Sequence, residues 1–415
     1  MEGLYGNRIK IMLLVLDGLA DTTHQELGWR TPLQSARTPA LDLLASEGAQ
    51  GLLYPLGPGV CPSSEVAHWS IFGYEPPSFP GRSYLHALHL GMRTSGDEAL
   101  FTTNVIKVMR GAAGKLKGGI VKLERNWAEK FVSAWNAMLP SDVRAAFMEG
   151  DDILLAVRRG SRRVSVSDPF VQGRPIGQIS PLPGWEDHPG ARRTARLLSS
   201  ALEAGEEALR RTDPLPGTSS EDILALVVKW PSRASRPEPW TSRHGMEAGA
   251  VVSTPCFSGM GKALGMRVRW TGSEEPYRDL LLKLREAGGL FEEGCDLVFV
   301  HTKHADEAAH TGKPSLKTEV IEKMDRALAD SGLLGREDIL WVVTCDHATP
   351  SLGDERVIHG GDPVPVLFRG GITRRDHLDH FDEVSAASGG YGRLEGKELM
   401  GLVKYLSLRA GYFAG

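Results

Sequence analysis

Two adjacent serines stand in CPSSEVAHWSIFGYEP, residues 61–76, followed by a glutamate and a histidine. The run opens on a proline-bearing turn and does not read as an ordinary core strand. One of Ser63 and Ser64 is a candidate nucleophile, and a serine hydroxyl is weak in that role unless something activates it. Residues able to do so stand in four short motifs. Asp17 follows IMLLVL, Asp306 and His310 follow DLVFV within HTKHADEAAHTGK, Asp346 and His347 follow ILWVVTC, and His359 lies in VIHGGDPVP. The i,i+4 spacing of Asp306 and His310 puts both on one face of a helical turn, able to grip one ion. Singly these motifs are ambiguous, since Asp-Gly also marks a turn and D-x-x-x-H also suits a solvated helix face. Together, three carboxylates and three imidazoles can fill two divalent sites, and mixed Asp and His ligands favour Zn or Mn over Ca or Mg alone. Two ions ~3.5–4 Å apart can clamp the attacking and leaving oxygens of a phosphoryl displacement.

The elements that must position these residues are legible around them. IKIMLLVLDG is a continuous apolar run, which suits a strand buried on both faces of a mainly parallel sheet. TPALDLLASEGA reads as a helix, with Thr38 as N-cap, Pro39 in the first turn and Gly48 near its end. Toward the carboxyl end CDLVFVHT, DILWVVTCDH and PVPVLFRGG read as strands and PSLKTEVIEKMDRALADSG as a helix. Strand and helix alternate at both ends of the chain, which predicts an α/β core built from both termini. The candidate ligands then lie at the carboxyl ends of strands, where open α/β sheets place their sites.

Between about residues 78 and 250 the text turns rich in Arg, Pro and Gly, with shorter strand signals in DDILLAVRRGSRRVSVSDP and DILALVVKW. Residues 78–244 hold 24 Lys and Arg against 18 Asp and Glu, so this stretch carries +6 and the remainder −10. A positive insert facing a carboxylate-rich core suits a lid over an anionic substrate; two unrelated solvated surfaces would give the same balance. The 415-residue length predicts two domains. The net charge of −4 gives no sign of nucleic-acid or membrane binding, and no apolar run approaches a membrane span of ~18 residues. Cys61, Cys256, Cys295 and Cys345 stand far apart, as reduced thiols of a cytoplasmic protein would.

In their order, LDG, SSEVAH, DEAAHTGK, CDHATP and HGGDPVPVLF resemble the cofactor-independent phosphoglycerate mutases, especially their archaeal-type branch, within the alkaline phosphatase superfamily. TPLQSARTPALDLLASEG, IFGYEP and FSGMGKALGM agree, and the likeness covers most of residues 8–92 and 245–415. The resemblance implies an alkaline-phosphatase-like three-layer α/β/α core with a mainly parallel sheet, over residues 1–77 and 255–415. An inserted α+β lid, residues 78–254, would bind the rest of a small anionic phosphorylated substrate and close upon it. One divalent ion, Mn or Zn with Mg as a further possibility, would sit on Asp17, Ser64, Asp346 and His347, and a second on Asp306, His310 and His359. Ser64 would be the nucleophile that becomes phosphoserine, its hydroxyl activated by coordination, leaving Ser63 as a turn residue. Glu65 then either bonds substrate or orients the loop, and His68 either contacts the transferred group or packs beneath it. Lys262, Lys303 and Arg82 are the cations retained for phosphate or other anions.

The insert departs from the family pattern. His86 stands where an acidic residue is usual, Phe101 where an arginine holds substrate, Phe170 where histidine is common, and RGAAGKLKGG replaces an arginine-rich segment. VVKWPSR occupies the place of an RGAG-like stretch, so Lys229, Arg233 or Arg243 would have to supply the missing charge, and Lys229 would do so without the bidentate fork of arginine. Phosphoryl transfer is therefore the expectation from the core, and the acceptor is open. It is either phosphoglycerate or a related phosphorylated or phosphonylated hydroxy acid, with hydrolysis or transfer to a separate acceptor as the alternatives.

Overall fold

The computed structural model describes residues 9–109, 114–219, 221–353 and 357–409. The strands, in chain order, begin with Lys10–Leu16 (β1), Ala49–Tyr54 (β2), Glu98–Val108 (β3), Leu116–Ile120 (β4), Val143–Phe147 (β5), Ile153–Arg158 (β6) and Ile223–Arg233 (β7). They continue with Ala248–Val252 (β8), Arg267–Trp270 (β9), Leu297–Thr302 (β10), Ile339–Thr344 (β11), Val364–Arg369 (β12) and Gly392–Glu395 (β13). The chain forms two compact units, one running to Phe79 and resuming at Glu238, the other Pro80–Pro237.

The larger unit is an α/β structure on an eight-stranded sheet of order β13-β2-β12-β11-β1-β10-β8-β9. Its pairs are parallel except where β12 runs antiparallel to both β11 and β2. KIMLLVL, LVFVHT and ILWVVT occupy the centre because they carry apolar side chains on both faces and are buried along almost their whole length. Each such side chain contributes about 1.5–3 kcal/mol when removed from water, which holds these three strands in the middle of the sheet. Register then decides what emerges together. Leu16 pairs with Thr302 and Val15 with Thr344, so β1, β10 and β11 all deliver their next residues to one edge of the sheet.

The return from the smaller unit falls at Glu238, earlier than the boundary at 254/255 expected from the sequence. The reason is β8: AGAVV is wholly buried and pairs in parallel with β10, so it belongs to the larger sheet. In the smaller unit β3 pairs antiparallel with β4, β6 and β7, and β5 pairs with β6. The helices Arg125–Asn136 and Pro189–Arg211 close its core, with Trp127, Phe131 and Trp135 stacked along the first. Of the long strand signal DDILLAVRRGSRRVSVSDP only β6 forms, and Val164 makes an isolated bridge to Pro181. The first four residues of the RGAAGKLKGG segment lie outside the described residues. None of the four cysteines is in a disulfide, and among the described residues no helix is long and apolar enough to cross a membrane.

Candidate metal centre

Beyond β1 the chain turns at Asp17-Gly18, where Gly18 takes φ +64°. A side chain here would meet Thr349 Oγ1 at 2.6 Å and Asp306 Cβ at 2.7 Å, so the close approach of three loops requires glycine. Asp346 and His347 follow β11, and Asp306 lies on the short helix His304–His310 that follows β10. Ser64 opens the helix Ser64–Ile71, whose N-terminal end carries a partial positive charge suited to an anion.

Asp17, Asp346 and His347 are buried and bring one ligand atom each within 4.8 Å of one another. His347 Nε2 lies 3.1 Å from Asp346 Oδ2 and 3.4 Å from Asp17 Oδ1, and the Ser64 hydroxyl is 2.8 Å from the same nitrogen. Gly18 N–H donates to Asp346 Oδ1 at 3.1 Å, and His301 Nε2 stands 3.0 Å from Asp17 Oδ2, which fixes both carboxylates in orientation. Their other oxygens, Asp17 Oδ1 and Asp346 Oδ2, are buried with no hydrogen-bond partner among the described residues. Burial and the charges of Asp346 and Asp306 push the Asp17 carboxyl well above the usual carboxylate range. Orphaned carboxylate oxygens beside an imidazole nitrogen and a serine hydroxyl are the donor set a divalent cation satisfies, and the residues present fit one.

Asp306, His310 and His359 form a second, more open group. Asp306 Oδ1 is 3.3 Å from His310 Nε2 and 3.9 Å from His359 Nε2. His359 Nδ1–H donates to the Pro62 carbonyl at 2.7 Å, which leaves Nε2 with a free lone pair and ties this histidine to the serine loop. The His359 ring stacks on His347 at 3.6 Å, so the two groups are contiguous.

The other candidate residues are distributed as follows. Ser63 is exposed and is the N-cap of the Ser64–Ile71 helix, without a side-chain cap bond. Glu65 is buried in the first turn. His68 is fully buried, bonded at Nδ1 to the Ser64 carbonyl at 2.7 Å and packed against Phe257, Phe299 and His301. Lys303 is half-buried and pairs with Glu307, and Lys262 is exposed at the end of the helix Pro255–Ala263. Arg243 is committed to the Gly73 carbonyl, to Glu238 and to the Tyr74 ring. In the smaller unit Arg82 and Lys229 lie over the Trp230 ring, at 4.0 and 4.1 Å, and Lys229 is buried with Asp168 at 3.8 Å. Trp230 takes φ +54° where the β3–β7 register shifts. Arg233 is exposed, His86 is held between Glu149 and Asp152, Phe101 is in the core and Phe170 is exposed.

Sequence reasoning missed His301 and Thr349. His301 ends an apolar strand, FVHT, and a histidine in that position was the available signal. Thr349 carried none, since the contact that marks it is with Asp306, which a different strand delivers.

The model of the Metalloenzyme superfamily matches residues 9–403. A 2,3-bisphosphoglycerate-independent phosphoglycerate mutase of Methanopyrus kandleri is 33% identical over 97% of this chain and 98% of its own. The protein of the same description from Thermococcus kodakarensis is 31% identical over the same shares. Among solved structures, a Pyrococcus horikoshii protein matches with a TM-score of 0.76 at 25% identity, covering 98% of this chain and all of its own. The cofactor-independent phosphoglycerate mutase of Thermoplasma acidophilum matches with a TM-score of 0.62 at 27% identity, covering 96% of this chain and all of its own. A likeness that runs through both units, and not through the motif-bearing segments alone, places the chain in the Metalloenzyme superfamily, in the family of the 2,3-bisphosphoglycerate-independent phosphoglycerate mutases.

Proposed function

We propose that this chain is a metal-dependent phosphomutase that moves a phosphoryl group between two hydroxyls of one small hydroxy acid, with Ser64 as the intermediate carrier. The names of its relatives make 3-phosphoglycerate and 2-phosphoglycerate the first pair to test. The observation that carries the reading is Ser64 Oγ at a helix N-terminus, 2.8 Å from His347 Nε2 and beside two buried carboxylates with orphaned oxygens. Asp17, Asp346, His347 and Ser64 would hold one divalent ion, and Asp306, His310 and His359 the other; Mn or Zn suits these ligands, with Mg a weaker match. When bound, such ions supply positive charge that lowers the pKa of a serine hydroxyl and neutralises phosphoryl oxygens.

Ser64 gives up its hydroxyl proton and bonds phosphorus as the bond to the first substrate oxygen breaks; that oxygen takes a proton. The second substrate hydroxyl then loses its proton and bonds phosphorus as the bond from phosphorus to Ser64 Oγ breaks, and Oγ takes a proton back. Glu65 bonds substrate or orients the Ser64 turn, and Lys303 and Lys262 are candidate cations of the larger unit for phosphate oxygens. Arg82 and Lys229 are the corresponding anion ligands of the smaller unit. Water must be kept from the phosphoserine, because hydrolysis is the competing reaction. A hydrolase is the second reading, favoured by the exposure of Cys61 and Ser63 beside the half-buried Ser64.

Phosphorus NMR of 3-phosphoglycerate with the chain and MnCl2 separates the two. A mutase gives 2-phosphoglycerate, and Ser64→Ala gives neither that product nor a phosphoenzyme. Free phosphate as the sole product would replace the mutase reading by the hydrolase. Turnover undiminished in Ser64→Ala would remove the assigned nucleophile.

A further inference from the structure

Thr349 is fully buried between the two groups of candidate ligands. Its hydroxyl is 2.7 Å from Asp306 Oδ1 and 3.0 Å from His347 Nδ1. Asp306 belongs to one group and His347 to the other. The hydroxyl has one proton, and an ionised carboxylate can only accept, so that proton is committed to Asp306. Toward His347 the hydroxyl can then only accept, which requires the imidazole to carry its hydrogen on Nδ1. In a neutral ring the consequence is a bare Nε2. That nitrogen is the one 2.8 Å from Ser64 Oγ and within 3.4 Å of both Asp17 and Asp346.

The hydroxyl is held in place from behind. Thr349 N–H donates to the Ala20 carbonyl at 2.9 Å, and the buried Lys317 ammonium donates to the Thr349 carbonyl, the Ala20 carbonyl and Asp21 Oδ2, each at 3.0 Å. Three donors meet three acceptors, so the loop after β1 and the loop after β11 are pinned to each other. Gly18 closes on the same hydroxyl from the front.

We propose that Thr349 is the positioning residue that couples the two metal sites: one hydroxyl orients Asp306 for one ion and fixes the His347 tautomer that leaves Nε2 free for the other. This inference rests on the reading of both groups as metal sites. It assigns no contact between Thr349 and substrate. Partners of this kind behind a ligand alter metal affinity by about 10- to 100-fold when removed.

The test uses the full-length chain, stripped with chelator. Thr349→Val keeps the shape and deletes the hydroxyl, and Thr349→Ser keeps the hydroxyl and deletes the methyl. Calorimetric titration with MnCl2 should show both Mn affinities falling by at least about tenfold in Thr349→Val and staying within about threefold of wild type in Thr349→Ser. Nitrogen-15 histidine NMR of the metal-free wild type, with His347 assigned by comparison with His347→Gln, should show hydrogen on Nδ1. Wild-type Mn affinity in Thr349→Val, or equal weakening in both variants, would overturn the proposal, as would hydrogen on Nε2 of His347. If Thr349→Val does not fold, Thr349→Ser and the wild-type tautomer decide the matter by the same criteria. If the wild type itself binds no Mn, the metal reading fails and the coupling role fails with it, whereas Mn binding by the wild type that Thr349→Val leaves unchanged overturns the coupling alone.

Discussion

Asp17→Asn should make the metal-free protein more stable and the metal-loaded protein less so. Asp17 is buried with Asp346 close by, its Oδ1 has no hydrogen-bond partner among the described residues, and burial raises its carboxyl well above the usual range. Asparagine preserves the shape and the acceptor that His301 faces, and removes one negative charge from a site where Asp346 and Asp306 stand beside it. Replacing an unpaired buried carboxyl by a neutral amide relieves part of its desolvation cost, about 1–3 kcal/mol. For a unit of this size that corresponds to a rise in Tm of roughly 2–4 °C per kcal/mol. Because the folded-state carboxyl lies above its unfolded value, the metal-free wild type loses stability as pH climbs from the ordinary carboxylate range through the raised one. The advantage of the variant should therefore widen with rising pH. With Mn at 100 times its Kd the wild type gains about 2.7 kcal/mol, and the variant, missing one ligand, gains less. Thermal unfolding followed by circular dichroism, with chelator and with MnCl2, at pH 5 and pH 8, measures all four quantities. A variant less stable than wild type in chelator, with an equal gain from Mn, would refute the account of Asp17 as an uncompensated ligand.

Lys317→Met should cost about 3–5 kcal/mol in urea unfolding, since it strands the buried Asp21 carboxylate that Lys317 meets at 3.0 Å. Glu383 is pushed up to about 7 by burial, so its contribution to stability is present in acid and lost as pH rises from about 4.5 through 7. Glu383→Gln should flatten that part of the stability–pH curve, by up to about 3 kcal/mol at pH 8; an unchanged curve would mean another group titrates. Lys229→Ala and Arg82→Ala, measured at saturating Mn, should raise KM for the phosphorylated substrate more than they lower kcat, as loss of ground-state anion binding does. A fall in kcat with KM unchanged would place these two cations elsewhere in the reaction.

Much of the core was legible because its signals are local. Continuous apolar runs fall where β1, β10 and β11 form, and a polar residue ending each run must emerge at a sheet edge whatever the rest of the chain does. Asp17, Asp306 with His310, and Asp346 with His347 were visible on that ground, and the order of their motifs was enough to suggest the family. The boundary at Glu238 was harder to see, because AGAVV is short and declares its sheet only by pairing with β10.

Other features were decided in three dimensions alone. His301 meets Asp17 across 284 residues, Lys317 meets Asp21 across 296, and Thr349 meets Asp306 across 43. No period or spacing along the chain encodes such pairs; they exist because parallel strands in register bring distant loops to one edge. The fate of His68 was likewise set by what packs around it, Phe257 and Phe299, and not by its place four residues after Ser64. Sequence named the chemistry because ligand atoms are residue identities. Only folding could determine which of those atoms remain without partners, because that depends on the neighbours each one finally acquires.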